Sequence, residues 1–85
     1  MLKILYFAWL KEKTGISEED CALPKDVSDV QGLISWLQHR GGGFDEAFND
    51  PSIVRVAVNQ EHVDLDCELS DGDEVAFFPP VTGGR

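Results

Sequence analysis

The residues with the most chemistry in this sequence are at its end. Val81-Thr82-Gly83-Gly84-Arg85 follows the run Phe77-Phe78-Pro79-Pro80. Glycine lacks a Cβ, so two in a row can thread a channel too narrow for other residues, and a foreign active site can approach the backbone closely there. Two prolines favour an extended, semi-rigid exit from whatever precedes them. The chemistry on offer is that of a backbone carboxyl group presented to another protein, although a frayed terminus would have a similar composition. Other reactive side chains are sparse. Cys21 and Cys67 form no CxxC pair and read as ordinary thiols. His39 and His62 lack partners at metal-ligand spacing, so no metal site is expected. Gly41-Gly42-Gly43 lacks the Lys-Ser/Thr of a phosphate loop and follows a helical pattern, where a helix C-cap and loop is the better account.

The elements that must position this tail can be read from the pattern. At 85 residues, 42% of them hydrophobic, the chain supports one small core. Leu2–Ala8 reads as a strand carrying Leu2, Ile4 and Tyr6 on one face and Lys3, Leu5 and Phe7 on the other. Trp9–Gly15 suits a short helix closed by Gly15, and Glu19–Pro24 suits a second strand. Ser28 and Gln31 have capping-box spacing ahead of Val30, Leu33, Ile34 and Leu37, predicting a helix from about Asp29 to Arg40. Phe44–Phe48 suits one more helical turn. Ile53–Asn59 alternates with its valines on the buried face; His62-Val63 starts a short return strand, Ser70–Asp73 a turn, and Glu74–Pro79 the last strand. The order β-β-α-β-β-β predicts an α+β fold, with first and last strands paired in parallel at the centre of a sheet packed on one main helix.

Charge narrows the function. Sixteen acidic against seven basic residues give a formal net charge of −9, which repels phosphate backbones and argues against nucleic-acid binding. No apolar run approaches the roughly 20 residues of a membrane span, and "MLKILYF" lacks a secretory pattern. A cytoplasmic protein without membrane partners is the expectation.

Three stretches, "LKILYFAWLKEKTG", "VRVAVNQEHVDLD" and above all "LSDGDEVAFFPPVTGG", carry a resemblance over nearly the whole chain. The sequence resembles the small, sulfur-carrier subunits of molybdopterin synthase, a ubiquitin-like β-grasp family. The resemblance implies a β-grasp domain over residues 1–80, with a mixed sheet of four to five strands, and a flexible tail over 81–85. It implies a non-catalytic carrier that binds no cofactor itself. A ubiquitin-activating-like adenylyltransferase would use ATP to adenylate the Gly84 carboxylate, and a persulfide would convert it to a thiocarboxylate. The large synthase subunit, in a heterotetramer, would then accept the tail (Thr82, Gly83, Gly84) and supply the catalytic residues for sulfur transfer to cyclic pyranopterin monophosphate. The departure is Arg85. The family pattern ends at the second glycine, so either Arg85 is removed or the chain as written is an inactive, stored or altered form.

Alternation adds a second expectation. Phe7 and Phe78 would share the outward face beside the tail's root, where the family meets its partners; burial in the core is the alternative for each. His62 falls where the family has an apolar contact. Rival readings are a sulfur carrier or ubiquitin-like modifier of another pathway (thiamine or tRNA thiolation), a β-grasp ferredoxin, or an interaction module whose tail does nothing. A ferredoxin cluster needs four cysteines, and this chain has two.

Overall fold

In the computed structural model, which describes residues 1–80, five strands form one mixed sheet in the order β2-β1-β5-β3-β4. β1 (Leu2–Tyr6) and β5 (Glu74–Phe78) pair in parallel at its centre, Ile4 opposite Val75 and Tyr6 opposite Phe77. β2 (Glu18–Cys21) pairs antiparallel with β1; β3 (Arg55–Val58) pairs antiparallel with both β5 and β4 (Glu61–Val63). The α+β, β-grasp reading is borne out. The predicted tail, with Thr82, Gly83, Gly84 and Arg85, lies outside the described residues.

The sheet has one dry face. Leu2, Ile4 and Tyr6 of β1, Val56 and Val58 of β3, and Val75 and Phe77 of β5 are all buried. Over them lies α2 (Val30–Gln38), whose Val30, Leu33, Ile34 and Leu37 form the predicted apolar stripe. α2 begins differently from the sequence expectation. Asp29, not Ser28, is the N-cap, its Oδ1 accepting from Gly32 N at 2.8 Å, an arrangement that serves one of the donors a helix start leaves unpaired. Ser28 instead uses its carbonyl to accept from Leu69 N, while Val30 N and Gln31 N donate to Cys67 O and Leu65 O. The loop from Val63 to Leu69 thereby clasps the helix start.

α1 (Trp9–Thr14) and α3 (Phe44–Ala47) close one end of the core. α1 ends as expected at Gly15, whose φ of 82° gives the left-handed cap. Gly43 has φ 100°, and a Cβ there would overlap the carbonyl oxygen of Lys13, so only glycine lets α3 approach α1 this closely. Phe44 and Phe48 from this end meet the stacked pair of Tyr6 and Phe77 edge-on, with ring centroids 5.0–6.4 Å apart across the cluster.

Several predicted boundaries shift, each for a local reason. β1 stops at Tyr6 because Ala8 takes φ 55°, ψ −132° and turns the chain into α1. The third strand starts at Arg55, since Pro51–Ile53 forms a 3-10 turn capped by Asp50 and leaves Ile53 exposed. β2 runs Glu18–Cys21, ending short of Pro24. The β3–β4 hairpin turns on Asn59 and Gln60, both at positive φ (52° and 71°), a twist that suits the flanking strands. Asn59 also fixes the start of β5: its Oδ1 accepts from Glu74 N and its Nδ2 donates to Asp73 Oδ1, each at 3.0 Å.

Candidate docking face at the root of the tail

The parallel register that buries Tyr6 and Phe77 sends their sequence neighbours the other way. Phe7 N donates to Phe77 O at 3.1 Å, so the pairing continues one residue past β1 and sets Phe7 alongside Phe78 on the outer face. Phe7 is 48% exposed and Phe78 half-buried. Across β5, Phe78 is opposite Arg55 and Ala76 opposite Ala57, and Ala57 is opposite His62 on β4. His62 reaches Phe78 with ring centroids 5.3 Å apart at 62°. Phe7, Phe78 and His62 therefore lie on one face, His62 in contact with Phe78. Half-buried Leu5 and Ala76 lie in His62's row, next to that of Phe7 and Phe78.

Beside Phe7 the surface dips into a cleft of about 420 Å³, lined by Leu5, Tyr6, Phe7, Ala8, Lys11, Ser17 and Glu18. Its lining spans the end of β1 and carries one cation, Lys11, and one anion, Glu18. Sequence reading missed this cleft, because Ser17, Glu18 and Lys11 reach Phe7 only through the β1–β2 pairing and the turn at Ala8. The positive φ of Ala8 had no sequence signal, since glycine is the residue normally expected there.

Away from the patch the outer face turns acidic. Lys3 has Asp20 opposite it on β2 and Glu74 on β5, and its Nζ pairs with Glu18 at 3.5 Å. The Met1 ammonium pairs with Asp71 at 2.7 Å. The face thus grades from aromatic at the end where Pro79-Pro80 leads out to charged at the other.

The remaining polar features support the fold. Arg40 leaves the end of α2 and lies between the Trp36 and Phe44 rings, 4.8 and 4.6 Å from their centroids. It binds both Glu19 oxygens (2.8 and 3.1 Å), and Glu19 also accepts from the Tyr6 hydroxyl at 2.7 Å. Burial, reinforced by the hydrogen bond and charge of Glu19, pushes the Tyr6 phenol far above its ordinary range. Burial and then the Glu19 carboxylate also raise the Cys21 thiol, which disfavours the reactive thiolate. Both cysteines are free, Cys21 buried and Cys67 half-buried. Among the described residues no group of three or more His, Cys, Asp or Glu is placed to hold a metal ion, and no helix is long and apolar enough to cross a membrane.

Comparison with known proteins bears on the family and the fold. The ThiS family model matches residues 4–84. The chain is 40% identical over 84 residues to the molybdopterin synthase sulfur carrier subunit of Escherichia coli (strain K12), covering 99% of this chain and 100% of that one. Among solved structures, one described as molybdopterin converting factor, subunit 1, from Pyrococcus furiosus superposes with a TM-score of 0.74 at 36% identity, over 94% of this chain and 97% of the other. A chain of the protein-protein complex of subunit 1 and 2 of the molybdopterin-converting factor from Helicobacter pylori 26695 superposes with a TM-score of 0.64 at 26% identity, over 98% of this chain and 97% of that one. The resemblance drawn from the three sequence stretches is borne out: the chain belongs to the ThiS family, beside the sulfur carrier subunits of molybdopterin synthase.

Proposed function

We propose that this protein is the sulfur-carrier subunit of a molybdopterin synthase, with Gly84 as the residue that bears the sulfur. The observation that carries the reading is the extent of the family match, which runs through residue 84 and so takes in Gly83 and Gly84. The docking face fits the same reading. Pro79-Pro80 leads out of β5 directly beside Phe7 and Phe78, so a partner that takes the tail into its active site must cover that patch. Exposed aromatics of this kind are favoured anchors of protein interfaces.

The chemistry is that of carboxyl activation. A carboxylate is a poor electrophile, whereas an acyl-adenylate has a good leaving group. An adenylyltransferase partner, using its own ATP, joins the Gly84 carboxylate to AMP with loss of pyrophosphate. The terminal sulfur of a persulfide then displaces AMP, and a thiol reductant cleaves the resulting acyl disulfide to leave a thiocarboxylate. The large subunit receives the tail and transfers sulfur to cyclic pyranopterin monophosphate. This chain contributes delivery: the patch of Phe7, His62 and Phe78 registers the carrier on each partner, and Thr82-Gly83-Gly84 spans the distance into the site. General acids and bases are assigned to the large subunit.

In the sequence Gly84 is joined to Arg85, so its carboxyl is held in a peptide bond and must be freed first. Incubation with the adenylyltransferase, ATP and a sulfur source, followed by intact-mass measurement, tests this. The chain ending at Gly84 should gain one oxygen-to-sulfur replacement and the chain retaining Arg85 none. A thiocarboxylate on the untrimmed chain, or none on the trimmed one, would refute the assignment of Gly84.

A further inference from the structure

The proposed docking face has one titratable side chain in its aromatic patch. His62 stands on β4 with its ring against Phe78, and the residues in its row on β3, β5 and β1 are Ala57, Ala76 and Leu5. The charged groups around it are few. Arg55 of β3 flanks the row on the tail side and donates to Ser52 O at 3.2 Å. Glu74 of β5 flanks it on the other side, and Glu61 and Asp64 adjoin His62 on its own strand and the loop that follows. Among the described residues the imidazole meets the Phe78 ring. All of these charged groups act on His62 whether or not a partner is bound, so they do not by themselves make docking depend on pH.

A partner's cover does change with docking. The imidazole is exposed in the free chain, where its charged form is hydrated. A surface that packs on Phe7 and Phe78 must also cover the ring touching Phe78, and burial disfavours the charged form of a histidine. We propose that His62 makes docking of this carrier on its large subunit pH-sensitive: the complex selects the neutral imidazole and weakens when His62 protonates. This rests on the sulfur-carrier reading and on an apolar partner surface against the patch. The sign follows from linkage. With the docked-state proton affinity depressed, the full affinity is present where the imidazole of the free chain is neutral and falls as it protonates, by at most about tenfold per pH unit.

The test measures the dissociation constant of the chain, with and without Arg85, for its cognate large subunit at about pH 7.5 and about pH 5.5. The wild type should weaken about tenfold between the two. H62Q and H62L, which keep an uncharged side chain at both values, should show a much smaller change; circular dichroism at both pH values confirms that each stays folded. NMR titration of the His62 ring should place its protonation lower in the complex than in the free chain. A wild-type change matched by both variants assigns the pH dependence to other groups and overturns the proposal. So does tighter binding at the lower pH, which would mean that the partner meets His62 with a carboxylate. Absence of binding at either pH by either form would refute the carrier reading itself, an outcome distinct from pH-independent binding.

Discussion

The two faces of the sheet are built from the same strands and from similar residues, yet they do opposite things. On the inner face Tyr6 and Phe77 are sealed beneath α2 and α3, stacked on each other and edge to face with Phe44 and Phe48. On the outer face Phe7 and Phe78, their immediate sequence neighbours, stand at the tail's root, and among the described residues the one ring pair there is His62 with Phe78. Hydrophobicity does not distinguish the two pairs. Strand alternation separates them, and the helices decide which side is dry. Under the carrier reading, this aromatic pair, which a one-residue slip would bury, is the surface proposed for a partner.

The sharpest way to break this comparison is to truncate each neighbour in turn. Phe77→Ala should cost about 3–5 kcal/mol, because it empties a fully enclosed site touched by Tyr6 and Phe48. Phe78→Ala should cost under about 1 kcal/mol of stability while weakening partner binding severalfold. Urea unfolding and calorimetry with the large subunit read both quantities. Equal destabilisation by the two would place Phe78 in the core and end the distinction.

A smaller effect tests the polar edge of the inner face. Because burial and Glu19 raise the Tyr6 phenol in the folded chain, the unfolded chain ionises first as pH rises. Stability should be intact below about pH 10 and then fall by up to about 1.4 kcal/mol per pH unit from this group. Y6F should remove that part of the alkaline loss; a parallel decline in the variant would assign it elsewhere.

The layer that covers the inner face should be sensitive at Gly43. G43A combines a positive φ with overlap on Lys13 O and should lower stability by about 2 kcal/mol or more in thermal unfolding. At the outer face the strain lies in Ala8, and there the sign reverses. A8G should raise stability by up to about 1 kcal/mol, since glycine adopts φ 55° without the penalty alanine incurs. Loss of stability in A8G would show that the methyl group contributes more by packing than it costs by strain.

Much of this molecule was legible before any coordinates. Helix α2 was marked by its stripe at Val30, Leu33, Ile34 and Leu37, the Gly15 cap by its place after a helical run, and the Ser70–Asp73 turn by acceptor side chains around a glycine. These signals are local, set by the periods of helix and strand. The cap of α2 was misread because Ser28 and Asp29 are both good caps one residue apart. The choice fell to the strand-like bridge between Asp29 and Glu68, a contact nearly forty residues away in the chain. The break at Ile53 was likewise hidden, since its pattern continues that of β3 and only Asp50 with Pro51 turns it aside.

By itself, then, the sequence determined the element order, the apolar stripes, the family and the Gly83-Gly84 position where the proposed chemistry resides, because each is written in neighbouring residues or in period. Only the tertiary structure decided that His62 would touch Phe78, that Phe7 would border a cleft with Lys11 and Glu18, and that Arg40 would bridge Trp36, Phe44 and Glu19. Those contacts depend on strand order and register. Both are settled by how a whole sheet and its helices bury their surfaces together, and no single segment carries that information.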